Sequence, residues 1–103
     1  MVNNIISYGT KIKGEIELNG TLRIEGRFEG RIVNQGKVYI SDSGEATASI
    51  HCENAIIGGS VFGNIYCDGN IKLLKTAIVK GTIYTKTISA DKGSEFEGNC
   101  ILI

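Results

Sequence analysis

Phe28-Glu29-Gly30-Arg31-Ile32 is one copy of a frame that recurs along the chain: apolar, any residue, glycine, any residue, isoleucine. The other copies are Ile12-Lys13-Gly14-Glu15-Ile16, Ala46-Thr47-Ala48-Ser49-Ile50, Val61-Phe62-Gly63-Asn64-Ile65, Val79-Lys80-Gly81-Thr82-Ile83 and Phe96-Glu97-Gly98-Asn99-Cys100. Their last residues are separated by 16, 18, 15, 18 and 17 positions. A second frame lies between them, in Leu22-x-Ile24, Val38-x-Ile40, Ala55-x-Ile57, Ile71-x-Leu73 and Ile88-x-Ala90, with a partial copy in Ile6-x-Tyr8. Period-2 alternation in short runs is the pattern of strands. Repetition of such runs every 15 to 18 residues is the pattern of a solenoid, whose single repeat cannot bury its apolar side alone.

The repeat predicts an all-β chain wound into a right-handed parallel β-helix of about six windings. Equivalent residues then stack as ladders: Ile16 to Cys100, Ile12 to Phe96 and Ile24 to Ala90, with the glycine column facing inward where the coil is narrow. A left-handed β-helix is built from strict six-residue units, and the wandering coil length argues against it. Six coils at roughly 4.8 Å each give a rod roughly 28 Å long. The expected organisation is a short tail over residues 1–5 and one β-helix domain over 6–103, with no linker.

Composition narrows the function. The chain has 103 residues, 14 Gly, no Pro, and 11 basic against 11 acidic residues. A neutral chain lacks the basic surplus that displaces counterions, so no nucleic acid is expected as partner. No apolar run is long enough to span a bilayer as a helix. Three Cys without CxxC spacing predict neither a disulfide framework nor a zinc site. Gly58-Gly59 and the other glycines form no GxGxxG or Walker loop, so no nucleotide, cofactor or metal is expected.

With these residues in view, the chain resembles the bactofilins, bacterial cytoskeletal proteins. The resemblance is carried by Gly9-Thr10-Lys11-Ile12-Lys13-Gly14-Glu15-Ile16, by Leu22-Arg23-Ile24-Glu25-Gly26-Arg27-Phe28-Glu29-Gly30, by Gly59-Ser60-Val61-Phe62-Gly63-Asn64-Ile65 and by Gly93-Ser94-Glu95-Phe96-Glu97-Gly98-Asn99-Cys100. It implies a right-handed β-helix that polymerises head-to-head and tail-to-tail without nucleotide or metal. It also implies a scaffold for cell-wall or envelope proteins. Family members often carry Pro-rich extensions, some of them membrane-binding. At most five residues precede the repeat here, so membrane attachment is not expected. The expected address is the cytoplasm or the inner face of the cell membrane.

A β-helix end exposes unpaired N–H and C=O groups and the ends of its apolar ladders, unless a cap covers them. No cap is apparent in the sequence. One polymer face is therefore expected at Phe96, Cys100 and Leu102, and the other at Ile6, Tyr8 and Ile12. The competing arrangement has the tail folding back over the last coil. An outward column of Val33, His51, Tyr66, Tyr84 and Ile101, with Phe62 and Ile78 on a neighbouring face, offers a stripe for lateral pairing or a partner protein. Ordinary cross-strand packing is the other reading of that column. This stripe carries the alternative function, an adaptor rod recruiting cell-wall enzymes.

A β-helix acyltransferase would need His51 as its base, but no carboxylate is placed to orient it and Glu53 lies two residues on. An enzyme is not expected. Cys52 and Cys67 share a column in adjacent coils, at a spacing a disulfide tolerates. The reading preferred over a disulfide is two small apolar core residues in a reducing compartment. Arg31 and Glu15 share an outward column and are expected to pair.

Overall fold

Among the described residues ten strands, all joined by parallel pairing, alternate between two tracks. The computed structural model describes residues 3–103. The short track holds β1 (Asn3–Ile6), β3 (Thr21–Ile24), β5 (Lys37–Ile40) and β7 (Asn54–Ile57). The long track holds β2 (Lys11–Leu18), β4 (Arg27–Asn34), β6 (Glu45–Cys52) and β10 (Glu95–Leu102). Two longer strands, β8 (Ser60–Leu73) and β9 (Ile78–Ala90), pass from the long track to the short one, and the β8–β9 register shifts between Cys67 and Asn70. The result is a parallel β-solenoid of about six turns, as the repeat predicted. The first strand begins at Asn3, inside the tail expected over residues 1–5.

The registers reproduce the ladders read from the repeat. Ile16 pairs with Ile32, Ile32 with Ile50, Ile50 with Ile65, Ile65 with Ile83 and Ile83 with Cys100. Ile6 stands above Ile24, Ile40, Ile57, Leu73 and Ala90 in the short track. Branched aliphatic side chains suit this stacking because their stiff χ1 packs against like neighbours on a pleated surface. The core is one continuous cluster along the axis, with Phe28, Leu22, Ile24, Ile32, Ile50 and Ile65 among its largest fully buried members.

Coil length varies because both corners come in two sizes: one spends one or two residues, such as Glu53 alone or Gln35-Gly36, and the other two or four. The four-residue corners Ser7–Thr10, Ser41–Gly44, Leu74–Ala77 and Asp91–Ser94 are each closed by the fourth N–H donating to the first C=O, at 2.9–3.1 Å. The second and fourth coils turn at the same corner through only Glu25-Gly26 and Gly58-Gly59. The molecule measures 28 × 24 × 22 Å. Its longest dimension matches the expected length, but it is nearly as wide, a short plug rather than a rod.

The glycine column departs from the expectation. Gly14, Gly30 and Gly98 are open to solvent and Gly63 and Gly81 are half-buried, so the column does not face inward. These five residues sit mid-strand at φ between +134° and +139°, which L side chains rarely adopt. A Cβ at Gly30, Gly63, Gly81 or Gly98 would overlap the carbonyl oxygen of the residue stacked in the preceding coil. The requirement is a backbone bend and close backbone approach between coils, rather than interior room. Ala48 keeps a negative φ and is buried, and the Ala48–Gly63 and Ser49–Asn64 steps are missing from the otherwise continuous β6–β8 register.

Charges stack outward on the same ladders. Lys13 pairs with Glu29 at 3.5 Å, Arg27 with Glu45 at 3.3 Å and Lys80 with Glu97 at 3.8 Å, each across neighbouring coils. These exposed pairs contribute little individually. Glu15 and Arg31 are register partners as expected, but they are not among the ion pairs within 4 Å; Arg31 forms none among the described residues.

Candidate functional site: the open ends and the aromatic column

Each end of the solenoid leaves strand edges without a neighbour. At the N-terminal end, β1 pairs only with β3 and β2 only with β4. At the C-terminal end, β10 pairs only with β9, and the last part of β9 only with β8. Among the described residues no segment adds a further rung to either end. An edge of this kind carries a row of N–H and C=O groups ready to pair.

The C-terminal coil brings the three residues named for that face together. Phe96, Cys100 and Leu102 all lie on β10, every residue of which is exposed. Phe96 is 37% exposed and Leu102 65%. Ile103 adds to the patch, and its N–H donates to Thr85 O at 3.0 Å, so the tail continues the ladder rather than folding back.

At the N-terminal end Tyr8 and Ile12 are exposed, Tyr8 to 79%. Ile6 is not: it is 4% exposed and belongs to the core. It fills the inward position of the first short strand, and the outward position beside it belongs to Ile5, which is exposed. The partial copy read as Ile6-x-Tyr8 is out of register: Asn4 stands opposite Leu22 and Ile6 opposite Ile24, and Tyr8 lies in the corner Ser7–Thr10.

The lateral column is assembled as expected. Glu17, Val33, His51, Tyr66, Tyr84 and Ile101 are successive register partners. His51 stacks on Tyr66 with ring centroids 4.4 Å apart, and Tyr66 on Tyr84 at 4.6 Å and 3° between planes. These spacings are close to the coil rise, so the rings pack on one another along the axis. Phe62 and Ile78 do not join this stripe. Phe62 stands between Thr47 and Lys80, and Ile78 between Ser60 and Glu95, each in a separate column. His51 forms no ion pair with a carboxylate among the described residues.

Beside the column, the corner carries a polar ladder. Asn34 Nδ2 donates to Gly20 O at 3.1 Å and Lys37 O at 2.9 Å. The Cys67 thiol has Glu53 O and Asn70 O as acceptors, at 3.1 and 3.2 Å. The Thr85 hydroxyl has Gly69 O and Thr87 O, at 3.0 and 2.9 Å. Each side chain ties its own coil to the corner of the coil before. Cys52 and Cys67 are register partners, and both are buried free thiols. The Cys52 thiol is pushed up by its hydrogen bond with Cys67 and then by burial, so it stays protonated. Cys100 is free and exposed.

Among the described residues there is no group of three or more His, Cys, Asp and Glu that could hold a metal, and no helix long and apolar enough to cross a membrane. Comparison with known proteins points one way. The chain is 33% identical over 99 residues to bactofilin BacO of Myxococcus xanthus, covering 96% of this chain and 79% of that protein. It is 26% identical over 96 residues to bactofilin BacP of the same organism, covering 93% of this chain and 40% of BacP. No solved structure matches. The bactofilin family model, described as polymer-forming cytoskeletal, matches residues 4–101, and the chain therefore belongs to the bactofilin family.

Proposed function

We propose that this protein polymerises by stacking coil end on coil end, without nucleotide, into a filament that scaffolds cell-wall or envelope proteins at the inner face of the cell membrane. One observation carries the reading: both ends present unpaired strand edges flanked by exposed Ile5, Tyr8 and Ile12 on one side and Phe96, Leu102 and Ile103 on the other. Stacking supplies backbone partners for the edge strands and buries these side chains together. Like ends meet like ends, so the filament has no polarity. No chemistry is required, and the residues at the two ends are structural contacts rather than catalytic groups.

The test is negative-stain electron microscopy of purified protein without nucleotide, paired with sedimentation of Phe96→Arg. Filaments in the parent and a soluble Phe96→Arg variant are expected. A variant that pellets like the parent removes Phe96 from the contact, and a parent that stays dispersed at high concentration overturns the reading.

A second reading, an adaptor recruiting cell-wall enzymes, is favoured by the stacked column of His51, Tyr66 and Tyr84. Half-buried rings aligned on one side offer apolar surface that end-to-end stacking leaves uncovered. Pull-down from a bacterial lysate with a Tyr66→Asp/Tyr84→Asp variant tests it, and unchanged partner recovery excludes the stripe.

A further inference from the structure

The charges of the first long strand are ordered along its edge. The outward positions of β2 hold Lys11, Lys13, Glu15 and Glu17, all exposed, and the inward ones hold Ile12, Ile16 and Leu18. Gly14, at φ +134°, bends the strand midway and divides the row into a basic arm and an acidic arm of equal length. Among the described residues β2 has a neighbour on one side only, β4, and a Cβ at Gly14 would touch nothing within 4 Å. The last long strand carries no such row. Its outward residues are Glu95, Glu97, Asn99 and Ile101, without a cation.

Two bases and two acids about a central glycine are complementary to the same row reversed. A two-fold axis through the bend lays each arm on the opposite arm of a second copy. The two β2 strands then pair antiparallel, with Lys11 opposite Glu17, Lys13 opposite Glu15 and, at the inward positions, Ile12 opposite Ile16. A shift to the next possible pairing would set outward positions against inward ones, and the one after it would set Lys13 or Glu15 opposite itself. The columns beneath extend the pattern. Lys13 is stacked on Glu29, 3.5 Å away, and Glu15 on Arg31, so the column across the junction reads Glu29, Lys13, Glu15, Arg31, alternating in sign. Lys11 is stacked on Arg27, a like charge that repels it, and has no carboxylate within 4 Å among the described residues. Glu17 of a second copy supplies one.

We propose that the N-terminal end takes a second copy of this chain in antiparallel register about Gly14, held by reciprocal Lys11–Glu17 and Lys13–Glu15 pairs. This rests on the reading that coil ends stack, and adds the orientation and the residues by which this end selects its partner. Each exposed pair is weak, but four act together at one junction, and a copy in the wrong register meets like charges. Continuing the solenoid head to tail would instead set Lys11 on Glu95 and Lys13 on Glu97, and leave Glu15 and Glu17 facing Asn99 and Ile101. Salt screens exposed pairs, so ionic strength acts on this junction rather than on the C-terminal one.

The test is sedimentation and electron microscopy of charge-reversed variants, with circular dichroism to report folding. Lys11→Glu/Lys13→Glu makes the row wholly acidic, and Glu15→Lys/Glu17→Lys makes it wholly basic. Each alone should need at least about tenfold more protein for filaments and stop at dimers below that concentration. An equimolar mixture should assemble like the parent, because the acidic row of one variant faces the basic row of the other. The full reversal Lys11→Glu/Lys13→Glu/Glu15→Lys/Glu17→Lys should also assemble like the parent. Lys37→Glu/Lys72→Glu makes the same charge change on the side of the solenoid and should leave assembly unchanged. A mixture no better than its components, a full reversal that stays dispersed, or an equal loss in the Lys37/Lys72 control would each overturn the register. So would parental assembly of Glu15→Lys/Glu17→Lys alone, the mark of head-to-tail stacking. In all these cases filaments of the parent leave end stacking itself standing, whereas a parent without filaments overturns both.

Discussion

Gly14→Ala separates folding from assembly. At Gly30, Gly63, Gly81 and Gly98 an added Cβ points at the preceding coil and overlaps its backbone, whereas at Gly14 none of the described residues forms a coil on that side and a Cβ meets nothing within 4 Å. Both classes share the same positive φ, +134° at Gly14 and +139° at Gly81. In the dispersed protein Gly14→Ala therefore carries only the conformational strain, about 1–2 kcal/mol. That corresponds to a fall in Tm of roughly 5–15 °C for a domain of this size. Gly81→Ala adds overlap with the Gly63 carbonyl inside the solenoid and should lose about 3 kcal/mol or more. Thermal unfolding followed by circular dichroism, at concentrations where each variant is dispersed, compares the two.

In assembly the order reverses in kind. The Gly14 methyl projects where a stacked N-terminal coil would lie, so the folded variant should lose that contact and keep the C-terminal one. If like ends pair, Gly14→Ala stops at dimers, seen by analytical ultracentrifugation. If unlike ends paired, it would stop at monomers. Filaments of parental length from Gly14→Ala would refute the stacking of coil on coil at this end. Equal stability of Gly14→Ala and Gly81→Ala would refute the argument that coil spacing, rather than φ alone, requires the glycine.

Phe96→Ala removes roughly 75 Å² of exposed aromatic surface, estimated from its 37% exposure. At about 25 cal/mol per Å² the loss is about 2 kcal/mol, so the concentration needed for filaments should rise about 30-fold by a sedimentation series. Phe28→Ala, at a position with no exposure, should destabilise by about 3–5 kcal/mol in urea unfolding. In the dispersed native protein a thiol reagent should titrate Cys100 alone, more slowly once filaments form. Cys52 and Cys67, both buried, should react only on unfolding, and the raised Cys52 pKa means that moderate alkalinity does not open it. Immediate reaction of all three thiols would contradict the buried pair.

The repeat frame by itself determined the strands, their parallel stacking and the inward ladders. A period-2 pattern repeated at a coil's length leaves one register in which every apolar residue is covered, and a slip of one position would expose them all. The column of His51, Tyr66 and Tyr84 followed from the same alignment. Three things needed the tertiary structure. Gly30 and its equivalents fit the inward parity of their strand, yet the backbone bends there at positive φ and leaves them open; pattern reports which side a residue faces only while the strand stays straight. Ile6 was read one frame position early, because a single apolar pair in the first coil does not fix its register, and it belongs to the core while Ile5 is exposed. The hydrogen bonds of Asn34 and Thr85 were invisible because their acceptors are carbonyls at and beside the corners, from residues outside both repeat frames. Their placement depends on how many residues each turn spends, a matter of backbone geometry that alternation of apolar and polar residues does not encode.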